Sequence, residues 1–314
     1  IILQQTRVDQ GLPYYYRFAS AFPSVTDLAA ASEDQVMKLW QGLGYYSRAR
    51  NMHATAKQVS AEPGAHFPTA YSSLIRLKGI GEYTAAAIAS FAGNEARAVV
   101  DGNVYRVLSR YFGVDLPIDS SAGKKYFAGL AQELLDEADP GLHNQAMMEF
   151  GAVQCRPLRP GCGECPLNAG CAALKENKVG LLPVKSKKTL VRKRYLNYLV
   201  IRNQGKLWLN RRESGDIWQS LYDFPLVETS GPVEEAELLL LEGFKKILNK
   251  ADFLVISVSE TFRHILSHQV IYARFWELEL QGYHAPENYI AAHEGEMEAY
   301  AFPRLITGYL ENNL

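Results

Sequence analysis

The chain has 314 residues, with 33 Lys and Arg against 34 Asp and Glu, and 47% of its residues are hydrophobic, a composition typical of a globular protein long enough for two domains. No apolar run approaches the roughly 18 residues of a membrane span, and no signal peptide is visible. The charge is uneven, because residues 1–194 carry 23 basic against 17 acidic side chains and residues 195–314 carry 10 against 17. This asymmetry predicts a mildly basic domain that faces a polyanion, joined to an acidic domain.

The first part of the chain has a helical pattern. Apolar residues recur at helical spacing between residues 11 and 60 and again between 121 and 154, and no strand-like alternation is present before about residue 195. Ser32 is the expected N-cap of one of these helices. Because the sequence opens in the middle of a pattern at Ile1, without a methionine, we expect an N-terminal segment to be missing.

Two glycine turns interrupt this helical part. The first spans residues 42–51 and has Tyr45 in its middle. The second places Gly79 and Gly81 on either side of one aliphatic residue, between two segments of helical periodicity. This is the pattern of a helix–hairpin–helix turn, in which glycine lets the backbone approach a ligand and the next helix offers its first N–H groups to a phosphate. An ordinary αα-hairpin inside a helical core is the alternative.

A carboxylate follows the second turn. Asp101 lies in a loop of small residues before a helix predicted from Asn103 to Phe112. A carboxylate at that place is usually an N-cap. Beside a phosphate-binding hairpin, it is also where an acid would stabilise a positive charge that forms on a sugar.

The four cysteines, Cys155, Cys162, Cys165 and Cys171, fall within 17 residues. Disulfides suit a small secreted domain, which this chain is not. Zinc sites usually combine two closely spaced pairs, and only Cys162 and Cys165 make such a pair. A [4Fe–4S] cluster takes four thiolates from one compact loop and tolerates uneven spacing. The spacing favours the cluster, with zinc as the alternative.

The pattern changes after the cysteines. Residues 180–194 are basic and have no helical period, which predicts a linker between a helical domain at 1–179 and a second domain at 195–314. That second domain is predicted to be α+β, with an antiparallel sheet. Its expected strands are 195–202, 206–212, 253–262 and 269–280, and its expected helices are 233–248 and 303–310.

Almost the whole chain resembles the MutY-type adenine DNA glycosylases of the helix–hairpin–helix superfamily. The resemblance rests on residues 3–6, 42–51, 77–84, 100–107, 144–155, 218–225 and 262–268 and on the four-cysteine loop. It implies an all-α helix–hairpin–helix domain with a [4Fe–4S] loop, followed by an α+β Nudix-like domain. It also implies that adenine paired with 8-oxoguanine or guanine in double-stranded DNA is removed by hydrolysis of its N-glycosidic bond. We expect a monomer in the bacterial cytoplasm, at the nucleoid, or in the nucleus of a eukaryote.

The same resemblance implies roles for single residues. Gln5 and Tyr45 would fill the gap that a flipped adenine leaves in the base stack, although an aromatic packed on its own turn is the alternative for Tyr45. Tyr83 would lie beside the reacting sugar, and Asp101 would face the positive charge that forms on it. The other implied residues are Asn103, to hold Asp101; Gln145, to bond the adenine edge; Gly79 and Gly81, at the DNA backbone; and Cys155, Cys162, Cys165 and Cys171, as cluster ligands.

Two departures from related patterns leave alternatives open. The general acid of the family is a glutamate directly before the residue that matches Ile1, and it is not in this sequence. An inactive, DNA-binding iron–sulfur protein is therefore one alternative. Glycosylases of the endonuclease III type carry a Schiff-base lysine at the place of Tyr83. Tyrosine cannot form that bond, so the resemblance implies a monofunctional glycosylase, with an endonuclease III-like pyrimidine glycosylase as the second alternative.

The second domain resembles a Nudix fold without its metal site. Residues 231–250 lack the acidic Arg-Glu-x-x-Glu-Glu signature, so we expect a lesion-recognition module and not a hydrolase. Leu266, Ser267 and His268 match a Phe-Ser-His loop of the family. A serine hydroxyl can accept from the N7–H of 8-oxoguanine and donate to its C8 carbonyl, while Leu266 would pack beside the base. A polar turn without a ligand is the alternative.

Overall fold

The computed structural model describes residues 1–186, 191–282 and 288–313. The predicted linker at 180–194 therefore lies partly outside the described residues. Up to residue 186 the described chain is helical and contains no strand, which confirms the all-α prediction for this part. Its helices are α1 (Val8–Ala21), α2 (Val25–Ala30), α3 (Glu33–Trp40), α4 (Ser47–Ser60), α5 (Tyr71–Leu74), α6 (Glu82–Gly93), α7 (Gly102–Phe112), α8 (Ser121–Glu133), α9 (Pro140–Val153) and α10 (Ala172–Lys175).

Local sequence explains where several of these helices begin and end. Ser32 accepts a hydrogen bond from the Gln35 backbone N–H, and the Gln35 side chain accepts one in return from the Ser32 N–H, so the predicted cap is confirmed as a capping box. Asn94 and Gly113 end α6 and α7 in the left-handed conformation, which these two residue types tolerate. The start of α3 and the ends of α6 and α7 are therefore determined by residues within one helical turn of each terminus.

Strands begin at residue 192, and the α+β prediction for the second part is confirmed. Gln204 and Gly205 form the predicted tight turn between the first two strands. The strands are β1 (Arg192–Asn203), β2 (Lys206–Arg211), β3 (Tyr222–Asp223), β4 (Leu226–Thr229), β5 (Phe253–Val258), β6 (Phe262–Ile265), β7 (Gln269–Leu280) and β8 (Ile290–His293), and the helices are α11 (Glu235–Leu240), α12 (Glu242–Leu248) and α13 (Arg304–Asn313). The single helix predicted at 233–248 is two helices, and the single strand predicted at 253–262 ends at Val258, with β6 beginning at Phe262.

The prediction of an antiparallel sheet is wrong, because the sheet is mixed. Its main strand order is β3-β2-β1-β7-β5, and β1 runs parallel to β7 with Tyr198 opposite Phe275. Residues 196–201 of β1 are continuously buried, as in a parallel strand covered on both faces. Alternate side chains of this run enter two apolar clusters, with Tyr198 in one and Leu199 in the other.

Contacts divide the chain into two compact units. Residues 1–60 group with residues 189–314, and residues 61–188 form the other unit. In one of the two apolar clusters of the first unit, Phe18 and Trp40 from the N-terminal helices are buried together with Tyr198 and Phe275 from the sheet. The domain boundaries predicted from composition stay a prediction, because these units cut across them. None of the helices among the described residues is long and apolar enough to cross a membrane.

A buried ionic network supports the loop that follows β2. The Arg212 guanidinium donates to Asp223 at 2.6 Å, to Asp216 at 2.7 Å and to the Ile217 carbonyl at 3.1 Å. Asp223 is fully buried, and burial raises its pKa to about 6 against the opposing effect of Arg212. Arg194 adds two further bonds to Asp216, each 2.8 Å. The loop at 215–218 is thus anchored by charge.

We expect Arg212→Met to lower the free energy of unfolding by about 3–5 kcal/mol at pH 8, because it leaves the Asp223 carboxylate buried without its partner. At pH 5 the loss should be smaller. Asp223 holds its proton more tightly in the folded chain than an unfolded aspartate does (pKa about 3.9), so its burden on stability grows as the pH rises through about 6. Urea unfolding followed by tryptophan fluorescence measures this, since the four tryptophans, at 40, 208, 218 and 276, all belong to this unit.

Arg211→Met provides the matched control. Arg211 pairs with Asp34 at 3.3 Å, but the two side chains are 45% and 49% exposed, so the loss should stay below about 1 kcal/mol. Combining Arg212→Met with Asp223→Leu should recover most of the stability. Equal losses for Arg212→Met and Arg211→Met would contradict this account of the network.

Candidate functional site

The predicted hairpin connects α5 to α6. Helix α5 is a single turn, shorter than the segment predicted from periodicity. Gly79 has φ +78°, a conformation that favours glycine, and Ile80 anchors the turn in the core. Gly81 is extended at the start of α6, where no side chain caps the helix, and a Cβ added there would meet no atom within 4 Å. Neither packing nor backbone conformation requires glycine at 81. Because the space beside Gly81 is empty and no side chain caps α6, the backbone N–H groups at the start of this helix are accessible to a ligand.

Asp101 caps α7, as predicted. One carboxylate oxygen, Oδ1, accepts from the backbone N–H groups of Asn103 and Val104, each at 2.8 Å. The other, Oδ2, accepts from the Asn103 side-chain amide at 2.8 Å. Asn103 therefore holds Asp101, which was the geometry expected of it. The carboxylate is half-buried and oriented from two directions.

Tyr83 lies close to this carboxylate. Burial raises the pKa of the Tyr83 phenol, and the negative charge of Asp101 raises it further. The ring is 43% exposed, and its hydroxyl is 3.9 Å from the Met148 sulfur. The structure thus brings Tyr83, Asp101 and Asn103 together at the N-terminus of α7, within one compact unit.

Arg106 links Asn103 to the cysteine loop, a contact that the sequence analysis missed. Its Nη2 donates to the Asn103 side-chain oxygen at 2.7 Å and to the Gly151 carbonyl at 2.6 Å, and its Nε donates to the Cys155 carbonyl at 2.6 Å. Gly151 allows this approach, because a Cβ there would lie 2.7 Å from Asn103. A signal was present in the sequence, since Arg106 and Arg110 lie one turn apart on a helix whose other buried positions are mostly apolar.

The four cysteines line one cavity. Arg110, also buried, closes one side of it. Its Nη1 lies 3.5 Å from the Cys155 sulfur and donates to the Arg156 carbonyl at 2.8 Å, while the Cys171 thiol lies 3.5 Å from the Arg110 carbonyl. Burial raises the pKa of Cys162, and the other three thiols raise it further, against the opposing effect of Arg110.

Four thiols lining one cavity are the donor set that a [4Fe–4S] cluster takes. None of the four thiols is in a disulfide. Across residues 1–186, 191–282 and 288–313, no three His, Cys, Asp or Glu side chains are close enough to hold one metal ion. Zinc needs every sulfur about 2.3 Å from one point, whereas each thiolate of a [4Fe–4S] cluster binds a different iron. The buried Arg110 guanidinium would offset the negative charge of such a cluster.

Gln5 and Tyr45 lie in the other compact unit, in adjacent turns. Both have left-handed backbones, with φ +51° and +47°, and both side chains are exposed, Tyr45 by 54%. Such a conformation is rare for a residue as large as tyrosine and persists only where the surroundings enforce it.

Arg48 enforces it, and the sequence analysis missed this residue as well. From α4, its Nη1 donates to the Ile2 carbonyl at 2.8 Å, to the Thr6 hydroxyl at 3.1 Å and to the Gln4 carbonyl. Its Nη2 donates to the Gly44 carbonyl at 3.2 Å. One buried guanidinium therefore ties the turn that carries Gln5 to the turn that carries Tyr45.

A groove in the same unit contains Tyr45 and the predicted recognition loop. Leu266, Ser267 and His268 lie between β6 and β7 and line this groove together with residues of the glycine turn. Ser267 and His268 are exposed and their side chains lie 3.3 Å apart, whereas Leu266 packs partly against the core. The structure thus brings four of the predicted contact residues to one surface.

Gln145 occupies an exposed position on α9, and its bond to adenine stays a prediction. Its neighbour Asn144 is buried and structural. The Asn144 side chain accepts from the Val99 N–H at 2.9 Å and donates to the Arg97 carbonyl at 2.8 Å, which fixes the loop before Asp101.

Comparison with known families agrees with both parts of the chain. Residues 1–129 match the family described as HhH-GPD superfamily base excision DNA repair protein, and residues 197–312 match the NUDIX domain. These matches confirm the predicted helix–hairpin–helix and Nudix-like architecture.

Individual relatives cover more of the chain. An adenine DNA glycosylase of Buchnera aphidicola subsp. Baizongia pistaciae is 33% identical over 277 residues, which is 87% of this chain and 75% of the relative. The human adenine DNA glycosylase is 45% identical over 174 residues, 55% of this chain and 32% of the human protein. Among solved structures, a thermostable thymine-DNA glycosylase superposes with a TM-score of 0.52 at 26% identity, covering 56% of this chain and 81% of that one.

Proposed function

Since this chain belongs to the adenine DNA glycosylase family, we propose that it removes adenine paired with 8-oxoguanine or guanine from double-stranded DNA. The observation that carries the proposal is the pairing of Asp101 with Tyr83. A carboxylate held by three hydrogen bonds stands beside a partly exposed phenol, close enough for its charge to raise the phenol pKa. This is the arrangement needed to stabilise a cationic sugar that is shielded on one side by a ring.

Substrate entry requires base flipping. A base inside a duplex is out of reach of any side chain, and extruding it costs a few kcal/mol. Side chains inserted into the stack stabilise the opened state. The exposed Gln5 and Tyr45, fixed by Arg48, supply such side chains, and the open backbone at Gly81 supplies a place for a DNA phosphate.

Bond cleavage then depends on Asp101. As adenine leaves, positive charge develops at the sugar, and a preoriented carboxylate stabilises it without reorganising. Asn103 and Arg106 keep that carboxylate in place. Glycoside cleavage also uses a second carboxyl group that protonates the leaving group.

Two further features define the reaction class and the cofactor. Tyr83 cannot form a Schiff base, so the enzyme is monofunctional, and water completes the reaction. Cys155, Cys162, Cys165 and Cys171 would hold a [4Fe–4S] cluster, which would serve to fold and brace its loop.

Recognition of the opposite base falls to the loop between β6 and β7. The Ser267 hydroxyl can both accept and donate, which matches the N7–H and C8 carbonyl that distinguish 8-oxoguanine from guanine. His268 adds a second polar group 3.3 Å away. Because Leu266 packs partly against the core, it contributes apolar contact at the base edge and no aromatic stacking.

Asp101→Asn should lose at least about a hundredfold in single-turnover adenine release, because the variant loses the charge that stabilises the transition state. Asparagine caps helices as well as aspartate, so folding and DNA affinity should be retained. The measurement is single-turnover kinetics on an A:8-oxoguanine duplex, together with equilibrium binding. An unchanged single-turnover rate would mean that Asp101 only caps α7 and does not act in bond cleavage. Excision of damaged pyrimidines with strand cleavage, and none of adenine, would favour the endonuclease III alternative.

Protein purified without oxygen should be brown, absorb broadly near about 400 nm and contain about four irons per chain. Cys165→Ser should lower the yield of folded protein before it affects chemistry, since the loop loses a ligand that helps to fold it. Iron and zinc are measured by elemental analysis. One zinc per chain without iron would contradict the cluster and leave the glycosylase proposal standing.

The double variant Ser267→Ala with His268→Ala should narrow the preference for adenine opposite 8-oxoguanine over adenine opposite guanine by about 1–3 kcal/mol, the worth of one good base-edge contact. The preference is measured as the ratio of affinities for the two duplexes. The cleavage step on a bound substrate should be spared, because these residues face the opposite base. Undiminished discrimination would rule out recognition through this loop.

A further inference from the structure

The groove that holds the recognition loop is basic. Among the described residues that line the groove, four are arginines and one, Asp216, is a carboxylate. The arginines are Arg50, Arg192, Arg194 and Arg304. A concave surface lined by several cations favours an anionic ligand, and the arginines that are free to bind it are those without a close partner in the fold.

Two of these arginines are committed to the fold. Arg194 is buried and makes two 2.8 Å bonds to Asp216 and one of 2.6 Å to Glu228, so its charge is neutralised. Arg50 donates to the Gln219 carbonyl at 2.6 Å, in a stretch where Trp218 and Ser220 both have left-handed backbones. These two shape the wall of the groove.

Arg192 is available and lies directly beside the recognition loop. Its backbone N–H donates to the His268 carbonyl at 3.1 Å, which fixes the start of β1 against the loop. Its side chain is 71% exposed and reaches Glu228 only at 3.4 Å. Such a pair contributes little, and Glu228 is engaged more closely by Arg194.

Arg304 is available on another wall. It is the first residue of α13, its side chain is exposed, and it lines the groove. It also lies near His264, since its positive charge adds to burial in lowering the pKa of that imidazole. Both available arginines therefore line the same groove as Leu266 and Ser267.

We propose that Arg192 and Arg304 bind phosphates of the DNA strand whose base Ser267 and His268 contact, so that the groove takes a length of strand and not a free base. The inference rests on the proposed function and adds the backbone contacts to it. Phosphate contacts set the register of a duplex but carry no sequence information, whereas base-edge contacts discriminate. In this groove the two tasks fall to different residues: the arginines contact phosphates, and the polar loop contacts the base.

The test is the salt dependence of DNA binding. Affinities of Arg192→Ala, Arg304→Ala and the double variant are measured between low and moderate salt, in an Asp101→Asn background that prevents turnover. Each removed phosphate contact should lower the slope of log K against log salt by about 0.9, and the double variant by about twice that. Affinities for A:8-oxoguanine and A:G duplexes should fall by the same factor, because the contact ignores the base.

Two control variants separate charge from structure. Arg304→Lys keeps the cation and should keep the slope. Arg263→Ala removes an exposed arginine of β6 that does not line the groove, and it should leave both slope and affinity unchanged. An unaltered slope in the double variant overturns the inference, and so does a loss confined to the 8-oxoguanine duplex.

The outcome is independent of the base-recognition test. If Ser267→Ala with His268→Ala leaves discrimination intact while the arginine variants lower the slope, the loop does not recognise the lesion but the groove still binds the backbone. If the Ser267→Ala, His268→Ala variant loses discrimination while the arginine variants leave the salt slope unaltered, the loop recognises the lesion but Arg192 and Arg304 do not bind phosphates.

Discussion

The hydrogen bonds of two buried arginines on α7, Arg106 and Arg110, are the interaction on which the Asp101 site and the cysteine loop depend. Burial lowers the pKa of Arg106, and the neighbouring Arg110 lowers it further, while Cys155 and Asp101 act in the opposite direction. The charged guanidinium is therefore favoured by the same carboxylate that it helps to position through Asn103. Because Arg106 also donates to the Cys155 carbonyl, the Asp101 cap and the cysteine loop are joined by rigid, directional bonds.

Arginine has the same role in the other compact unit. Arg48 ties together the turn that carries Gln5 and the turn that carries Tyr45, and Arg212 and Arg194 anchor the loop that lines the groove. A guanidinium suits this role because its five donors lie in one plane and can satisfy several carbonyls at once. Irregular loops lack the repeating backbone hydrogen bonds of helices and sheets. In this protein, arginine side chains stabilise such loops by donating hydrogen bonds to them.

The molecule separates the two halves of its proposed task. Residues 61–188 contain the hairpin, Asp101, Tyr83 and the cysteines, whereas the groove and the turn that holds Tyr45 lie in the unit formed by residues 1–60 and 189–314. Chemistry needs a preoriented carboxylate in a partly dry site, and recognition needs an exposed polar loop with cations beside it. These environments conflict, and building them in different units lets each form without weakening the other.

What the sequence by itself determined was local. The helices of the first part, the Ser32 and Asp101 caps, the glycine hairpin and the gathering of four thiols in one loop follow from interactions within a few residues, which periodicity and spacing record directly. The parallel pairing of β1 with β7, the burial of N-terminal helices against the sheet, the partners of Arg48 and Arg106, and the basic groove were decided only by tertiary structure. Strand alternation records which face is buried but not which neighbour lies alongside. The charge of an arginine, likewise, does not record which distant carbonyls will surround it once the chain has packed.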